Sequence, residues 1–253
     1  MRRTLGAILA ALALAGASPA MAADAVAPPS VKWTFDGLFG SFDRAALRRG
    51  FQVYTEVCAV CHSLRLVHYR NLTAIGFSED QVKALAAEVE VTDGPDAEGE
   101  MFDRPARPSD RFVSPFANDN AARAANNGAL PPDLSLVTKS RIGGPDYIHG
   151  LMVGYREAPA EMEMSEGMDY NAYFPGHQIA MPAPLSDELV EYADGTEATV
   201  GQMAKDVTQF LVWAAEPELE ERKRMGVKVV LFLVLLTGML YAVKRAIWSD
   251  VPH

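Results

Sequence analysis

Val57-Cys58-Ala59-Val60-Cys61-His62 is the stretch on which the reading of this chain turns. Cys-x-x-Cys-His is the attachment pattern for c-type haem. Two thiols three residues apart can each form a thioether to one vinyl group of the same porphyrin, and the adjacent His62 then faces the iron as proximal ligand. Cys58 and Cys61 are the only cysteines in the 253 residues, so no other thiol competes for them. The same spacing also serves thioredoxin-like redox pairs. That alternative needs a βαβ frame around the motif, and the sequence offers none.

Working outward, Asp43 is a good N-cap, and Ala46, Leu47, Phe51, Tyr54, Val57 and Cys58 recur at helical spacing. They predict a helix from about Arg44 into the motif, with the cysteines at its C-terminal end, where the chain can turn beneath a porphyrin. Its aromatics read as core. The preceding residues 24–42, with Pro28-Pro29, read as extended. Ser78 and Gln81 form a capping box for a helix over 78–90, and 92–100 reads as a surface loop. Turn formers crowd 104–146, with short helices predicted within 118–125 and 146–155; Asn126-Asn127-Gly128 can be read simply as a turn. The last soluble helix is predicted at 200–215, its apolar face formed by Val200, Met203, Val207, Phe210, Leu211 and Ala214, with Pro217 beyond it.

The two ends carry membrane signals. Arg2 and Arg3, the apolar run Leu5–Ala17 and the small-x-small pattern ending at Ala22 predict a secretory signal peptide over 1–22, an uncleaved anchor being the alternative. Export fits the motif, because c-type haem is attached on the outer side of the bacterial inner membrane. Near the other end, Val229–Val243 contains no charge, and Met225–Trp248 is long enough to span with Lys228 snorkelling. Arg222, Lys223, Arg224 and Lys228 precede this span and only Lys244 and Arg245 follow it, which by charge alone would place the upstream side in the cytoplasm. A translocated domain of this length overrides that bias. The expected division is a signal peptide at 1–22, a periplasmic haem domain at 23–217, and an anchor with a short cytoplasmic tail at 218–253.

Charge narrows the partners. Thirty-three acids against 23 bases give a net −10, or −12 once residues 1–22 are removed. An acidic surface argues against nucleic acid and towards basic protein partners. Two runs concentrate it: eight acids and one base between Glu79 and Glu100, then Glu157, Glu161, Glu163, Glu166 and Asp169 with no base. Solvated surface is the ordinary explanation of such runs.

His62 leaves one axial position, for which the chain offers eleven methionines and His68, His149, His177 and His253. Small monohaem cytochromes take a methionine from the loop before their last helix. Met181 lies there, stiffened by Pro182 and Pro184, and is the preferred ligand. Met162, Met164 and Met168 lie among acids, and Met203 belongs to a core face. His177 is the rival, and a bis-His pair would lower the potential.

Together these residues resemble the cytochrome c1 family, the haem subunits of ubiquinol–cytochrome c reductase. The resemblance runs through Arg48-Arg49-Gly50-Phe51-Gln52-Val53-Tyr54, Ser114-Pro115-Phe116-Ala117-Asn118, the stretch Ala124 to Ser135, Gly143-Gly144-Pro145-Asp146-Tyr147, and Tyr173-Phe174-Pro175-Gly176 leading to Met181. It implies a mainly α, class I cytochrome c-like haem domain with long loop insertions, plus one C-terminal transmembrane helix. It further implies one covalent haem c on Cys58 and Cys61, with His62 and Met181 as axial ligands. Arg141 would contact a haem propionate, for which a guanidinium is well matched, and Asn126 would neighbour the haem edge; an exposed loop arginine is the plainer account of Arg141. The implied partners are cytochrome b, a Rieske iron–sulfur protein as electron donor and a soluble cytochrome c as acceptor, in a dimeric complex at the inner membrane. The chain would then be an electron-transfer subunit rather than a catalyst alone. Some bacterial relatives carry an additional disulfide, which this chain lacks the cysteines to form. Two other classes stay open on the residues: a free-standing membrane-tethered electron carrier, and a haem-based ligand sensor with a displaceable sixth ligand. Nothing beside the motif resembles a triad or an acid/base pair.

Overall fold

Asp43 caps α1 (Arg44–Glu56) by accepting from the backbone N–H groups of Ala45 and Ala46 at 2.9 and 3.3 Å. The computed structural model describes residues 26–250, so the signal peptide expected at 1–22 and the ligand candidate His253 lie outside the described residues. Thr199 caps the other long soluble helix, α6 (Val200–Ala215), through the N–H of Gln202. These bounds are those expected from the periodicity.

α1 and α6 cross at Gly50. A Cβ there would lie 2.1 Å from the Asp206 carbonyl oxygen, so only glycine permits the approach. The close crossing interlocks aromatics: Phe51 and Tyr54 of α1 lie 5.8 and 5.7 Å from the Phe210 ring, itself 5.6 Å from Trp213. All four are buried, as the sequence predicts for the helix-borne aromatics.

The chain between the motif and about residue 113 wraps this pair. A 3-10 helix, Tyr69–Ile75, leads through the Ser78–Gln81 capping box into α2 (Glu79–Ala87). Strand β1 (Glu90–Asp93) then pairs antiparallel with β2 (Phe102–Pro105), Glu90 opposite Pro105. Sequence reading gives loops at 92–100 and beyond and misses this hairpin. Its strands are charged, without apolar alternation, and polar ties close them: Thr92 to Asp103, and Arg104 between Asp93 and Asp110. Phe112 brings the wrap back to the core, stacked on Tyr69 at 4.6 Å.

Three short helices follow: α3 (Asp119–Ala125, capped by Asn118), α4 (Val137–Ser140) and α5 (Gly144–Val153). α4 and α5 both pack on α6. Two-residue strands β3 (Asp169–Tyr170) and β4 (Gln178–Ile179) then form a second small antiparallel pair. Helices dominate, and loops fill the space between them, as the sequence led one to expect.

The last helix, α7 (Leu219–Ile247), is 29 residues long, or about 44 Å at 1.5 Å per residue. Its most apolar 18-residue window contributes nothing to the domain core. Only its first turns touch the domain: Leu219 is buried, Glu220 pairs with Arg44, and Arg222 with Glu216. Beyond those turns, Val229–Val243 is uncharged on every side and almost wholly exposed, and such a segment needs a hydrocarbon solvent.

Candidate functional site

α1 delivers the cysteine motif into a single 3-10 turn, Cys58–Val60, in which the N–H groups of Cys61 and His62 both donate to the Cys58 carbonyl at 3.1 and 2.9 Å. That fold puts both thiols and the imidazole on one turn. Burial, and secondarily the charge of Cys61, push the Cys58 thiol up to about 12. A thiol held that high stays neutral at pH 7, the opposite of the thiolate that a thioredoxin-like pair exposes.

His62 is poised as a metal ligand. Its Nδ1 lies 2.8 Å from the Pro132 carbonyl oxygen. A carbonyl can only accept, so Nδ1 carries the proton and Nε2 keeps its lone pair. Burial holds the imidazole below its ordinary range, against the Pro132 hydrogen bond and the charge of Asp133, so the ring is neutral at pH 7. The donor set therefore fits an axially ligated haem. Tyr54, buried, donates its hydroxyl to the His62 carbonyl at 3.2 Å and fixes the turn from the core side.

Sequence reasoning missed what holds Pro132 in place. Asp133 accepts from the Ser63 hydroxyl (2.8 Å), the Arg65 N–H (2.9 Å) and the Ser135 N–H (2.9 Å). Burial opposes its charge, but these hydrogen bonds outweigh that and hold the carboxyl below the usual range. The Leu134 N–H donates to the Ser63 carbonyl at 2.9 Å. A short polar clasp thus locks the 131–135 loop to the residues just after the motif. Asp133→Ala is expected to cost about 1.5–3 kcal/mol at pH 7, because three donors lose a charged acceptor. A depressed carboxyl contributes stability above its unfolded value, near 3.9, and loses it as pH falls through the folded value. The difference between variant and parent, followed by denaturant unfolding, is therefore expected to be flat from neutrality to about pH 5 and to shrink below about pH 4.

Met181 sits in a loop built around Asn171. That side chain is wholly buried; its amide donates to the Leu151 carbonyl (2.8 Å), and its oxygen accepts from the N–H groups of Tyr173 (3.0 Å) and Phe174 (3.2 Å). Gly154 at the end of α5 makes room, since a Cβ there would come within 2.8 Å of the Asn171 oxygen. Tyr155, next along, donates its hydroxyl to the Met181 carbonyl at 3.0 Å. The Tyr155 bond holds Met181 by its backbone carbonyl and does not engage its thioether. The rival His177 has its ring stacked on Tyr170 at 5.6 Å, with Nδ1 3.2 Å from the Asn171 carbonyl. Met203 is core, as expected, while Met162 and Met164 are half-buried rather than fully exposed.

Arg141 follows α4 and is exposed; it forms no ion pair among the described residues, and its charge acts on the half-buried Tyr147. Asn126 closes α3, its amide donating to the Ala122 carbonyl at 2.7 Å, which leaves its oxygen for a further donor.

Two helices crossed at a glycine, a Cys-x-x-Cys-His turn at the end of the first and a methionine loop ahead of the last define a c-type cytochrome, here tethered by one apolar helix. Residues 33–251 match the cytochrome C1 family. The chain is 51% identical to cytochrome c1 of Rhodospirillum rubrum, over all of this chain and 98% of that one. It is 49% identical to "Cytochrome b/c1" of Bradyrhizobium diazoefficiens over 88% of this chain and 36% of that protein. It is 50% identical to "Cytochrome b-c1 complex catalytic subunit, mitochondrial" of Candida albicans, over 89% and 79% of the two chains. This protein belongs to the cytochrome c1 family, whose members carry one covalently bound haem c.

Proposed function

We propose that this protein is the haem-bearing subunit of a cytochrome b–c1 complex, carrying electrons from a Rieske iron–sulfur protein to a basic cytochrome c. Within a chain of this family, the observation that carries the reading is the His62 tautomer, set by Pro132 so that Nε2 is free to ligate. The names of the Bradyrhizobium and Candida relatives support membership of the complex. Bound haem supplies a one-electron ferric/ferrous couple. Cys58 and Cys61 would hold it by thioethers, His62 and Met181 would ligate its iron, Arg141 would meet a propionate, and Asn126 would neighbour the haem edge. Methionine sulfur favours ferrous iron and so raises the potential, which suits an acceptor of quinol-derived electrons. The chain moves electrons and transforms no substrate alone; the catalyst is the assembled complex.

The haem domain, residues 23–217, lies on the periplasmic side of the cell membrane, and 218–253 form the anchor and a cytoplasmic tail. The awkward excess of bases before the span has a partial structural account. Arg222 pairs with Glu216, and the Lys223 ammonium is held by two backbone carbonyls, so both serve to fasten the domain. Extraction in mild detergent tests the assignment. Cytochrome b and an iron–sulfur protein are expected to travel with this chain at the mass of a dimeric complex. Purification of the haem protein alone would favour a free-standing tethered carrier.

The two acidic runs are placed differently. All five acids of the 157–169 run are exposed, and that segment is bonded to the Met181 loop: Ser165 N–H donates to Gln178 at 2.8 Å, and the Gln178 amide to the Glu163 carbonyl at 3.3 Å. In the 79–100 run Asp93 is bound to Arg104, and Asp96 accepts from the backbone of Glu98 and Glu100. A one-sign field beside a reactive edge can raise encounter rates by about 10- to 1,000-fold at low salt. Neutralising Glu157, Glu161 and Glu163 together is expected to lower the bimolecular rate with a basic cytochrome c by about tenfold at low ionic strength. It is also expected to flatten the salt dependence, since screening acts within about 8 Å at physiological salt. Neutralising Glu88, Glu90 and Asp93 is expected to do less, and stopped-flow oxidation across a salt series separates the two.

A further inference from the structure

We propose that the turn at Leu38-Phe39 is a second membrane contact, a lipid-facing tip that fixes the haem domain's tilt on the bilayer. The proposal rests on α7 being the anchor. Residues 34–41 form a closed turn: the Ser41 N–H donates to the Thr34 carbonyl at 3.0 Å and the Asp36 N–H to the Trp33 carbonyl at 3.3 Å. The turn is tight, since a Cβ on Gly40 would lie 2.0 Å from the Asp36 carbonyl oxygen, and Gly37 takes a positive φ of 69°. Its flanks are inward, with Trp33, Phe35 and Phe42 all buried. Its tip is outward and apolar, Leu38 being 58% and Phe39 86% exposed. Leu38 and Phe39 together present an adjoining apolar pair at the end of a constrained turn, and its position supplies a reason.

The reason comes from where the turn is fastened. Glu220, in the first turn of α7, accepts from the Phe42 N–H at 2.8 Å and pairs bidentately with Arg44 at 3.0 and 2.8 Å. Lys223 donates to the carbonyls of Phe35 (2.5 Å) and Gly40 (3.2 Å). As the chain runs from Phe42 back to Gly40, its contacts step from Glu220 to Lys223, about 4.5 Å along the helix axis toward the apolar span. The tip lies between Phe35 and Gly40, so both its feet are fastened at the Lys223 level, the step nearer the apolar span. Met225 opens the apolar stretch only two residues after Lys223, so Leu38 and Phe39 are carried to the level where the helix enters the membrane. Apolar and aromatic side chains are stable at that depth, and the bases Arg224 and Lys228 at the start of the span suit anionic headgroups. Charge-assisted bonds on both sides of the turn make it a rigid strut rather than a loose loop. A single-span anchor alone would let the domain rotate and tilt; a second contact removes that freedom.

The test uses the full haem-loaded chain in phosphatidylethanolamine–phosphatidylglycerol vesicles. Its two native thiols are consumed by haem, so the parent is expected to take no thiol-specific spin label. Labels at Leu38→Cys and Phe39→Cys are compared with Ile142→Cys, which is 99% exposed on the haem domain, and with Leu235→Cys in mid-span. In each, collision with oxygen is measured against collision with a water-soluble nickel chelate. The oxygen-to-nickel ratio at 38 and 39 is expected to exceed that at 142 several-fold and to fall below that at 235. A ratio at 38 and 39 equal to that at 142 would overturn the proposal, as would shielding from both reagents, which would mean a protein neighbour. A water-like reading at 235 would overturn the anchor itself, and this inference with it.

Discussion

Met181→Leu is expected to abolish the sulfur-to-iron charge-transfer band, lower the haem potential by on the order of 0.2 V, and open the iron to carbon monoxide. Axial ligands tune haem potentials over a span of about 0.8 V, so losing one of two is a large perturbation. The substitution changes volume little, and Met181 is only half-buried. The bond from Tyr155 goes to its backbone carbonyl and survives in the variant. The fold is therefore expected to hold while the ligand is lost. His177→Ala is the companion: its ring is stacked on Tyr170, and with Met181 as the sixth ligand the spectrum is expected not to change. The opposite pattern would move the sixth ligand to His177.

The second large effect concerns the helix crossing. Arg49 grips the fully buried Asp206 through Nε at 2.8 Å and Nη2 at 3.1 Å, and reaches Asp194 through Nη1 at 2.8 Å. Arg49→Met would strand a buried carboxylate with Gln202, at 2.9 Å, as its remaining side-chain donor. Breaking a buried pair from one side costs about 3–5 kcal/mol. For a domain of this size that is a fall of roughly 6–20 °C in Tm, measurable by calorimetry or by loss of the Soret circular dichroism. Asp206→Leu added to Arg49→Met is expected to recover much of the loss, because it removes the stranded charge. No recovery would place the damage in packing at Gly50 instead.

Both predictions turn on features that the sequence displays unequally. The bounds of α1 and α6, the capping box at Ser78 and the apolar run of α7 were readable because caps and hydrophobic periods are local signals. So was the cysteine motif, whose chemistry lies in three residues. The hairpin at 90–105 was hidden because its strands carry charges and pair by polar cross-links rather than by alternation. Asp206 was hidden for a different reason. A single acid on an otherwise apolar helix face looks like solvent exposure until Arg49, 157 residues away, is seen against it. The clasp around Asp133 and the knot around Asn171 are likewise polar centres assembled from distant segments. Pro131-Pro132-Asp133 falls among the turn formers of 104–146, and nothing local says that the Pro132 carbonyl sets the tautomer of His62.

The central claim is a covalent haem on the turn that closes α1, and the intact mass of the purified mature protein after acid–acetone treatment tests it most directly. The account predicts the mass of the polypeptide from about residue 23 plus one haem, and an unmodified polypeptide mass, its haem lost to the acetone, would contradict it.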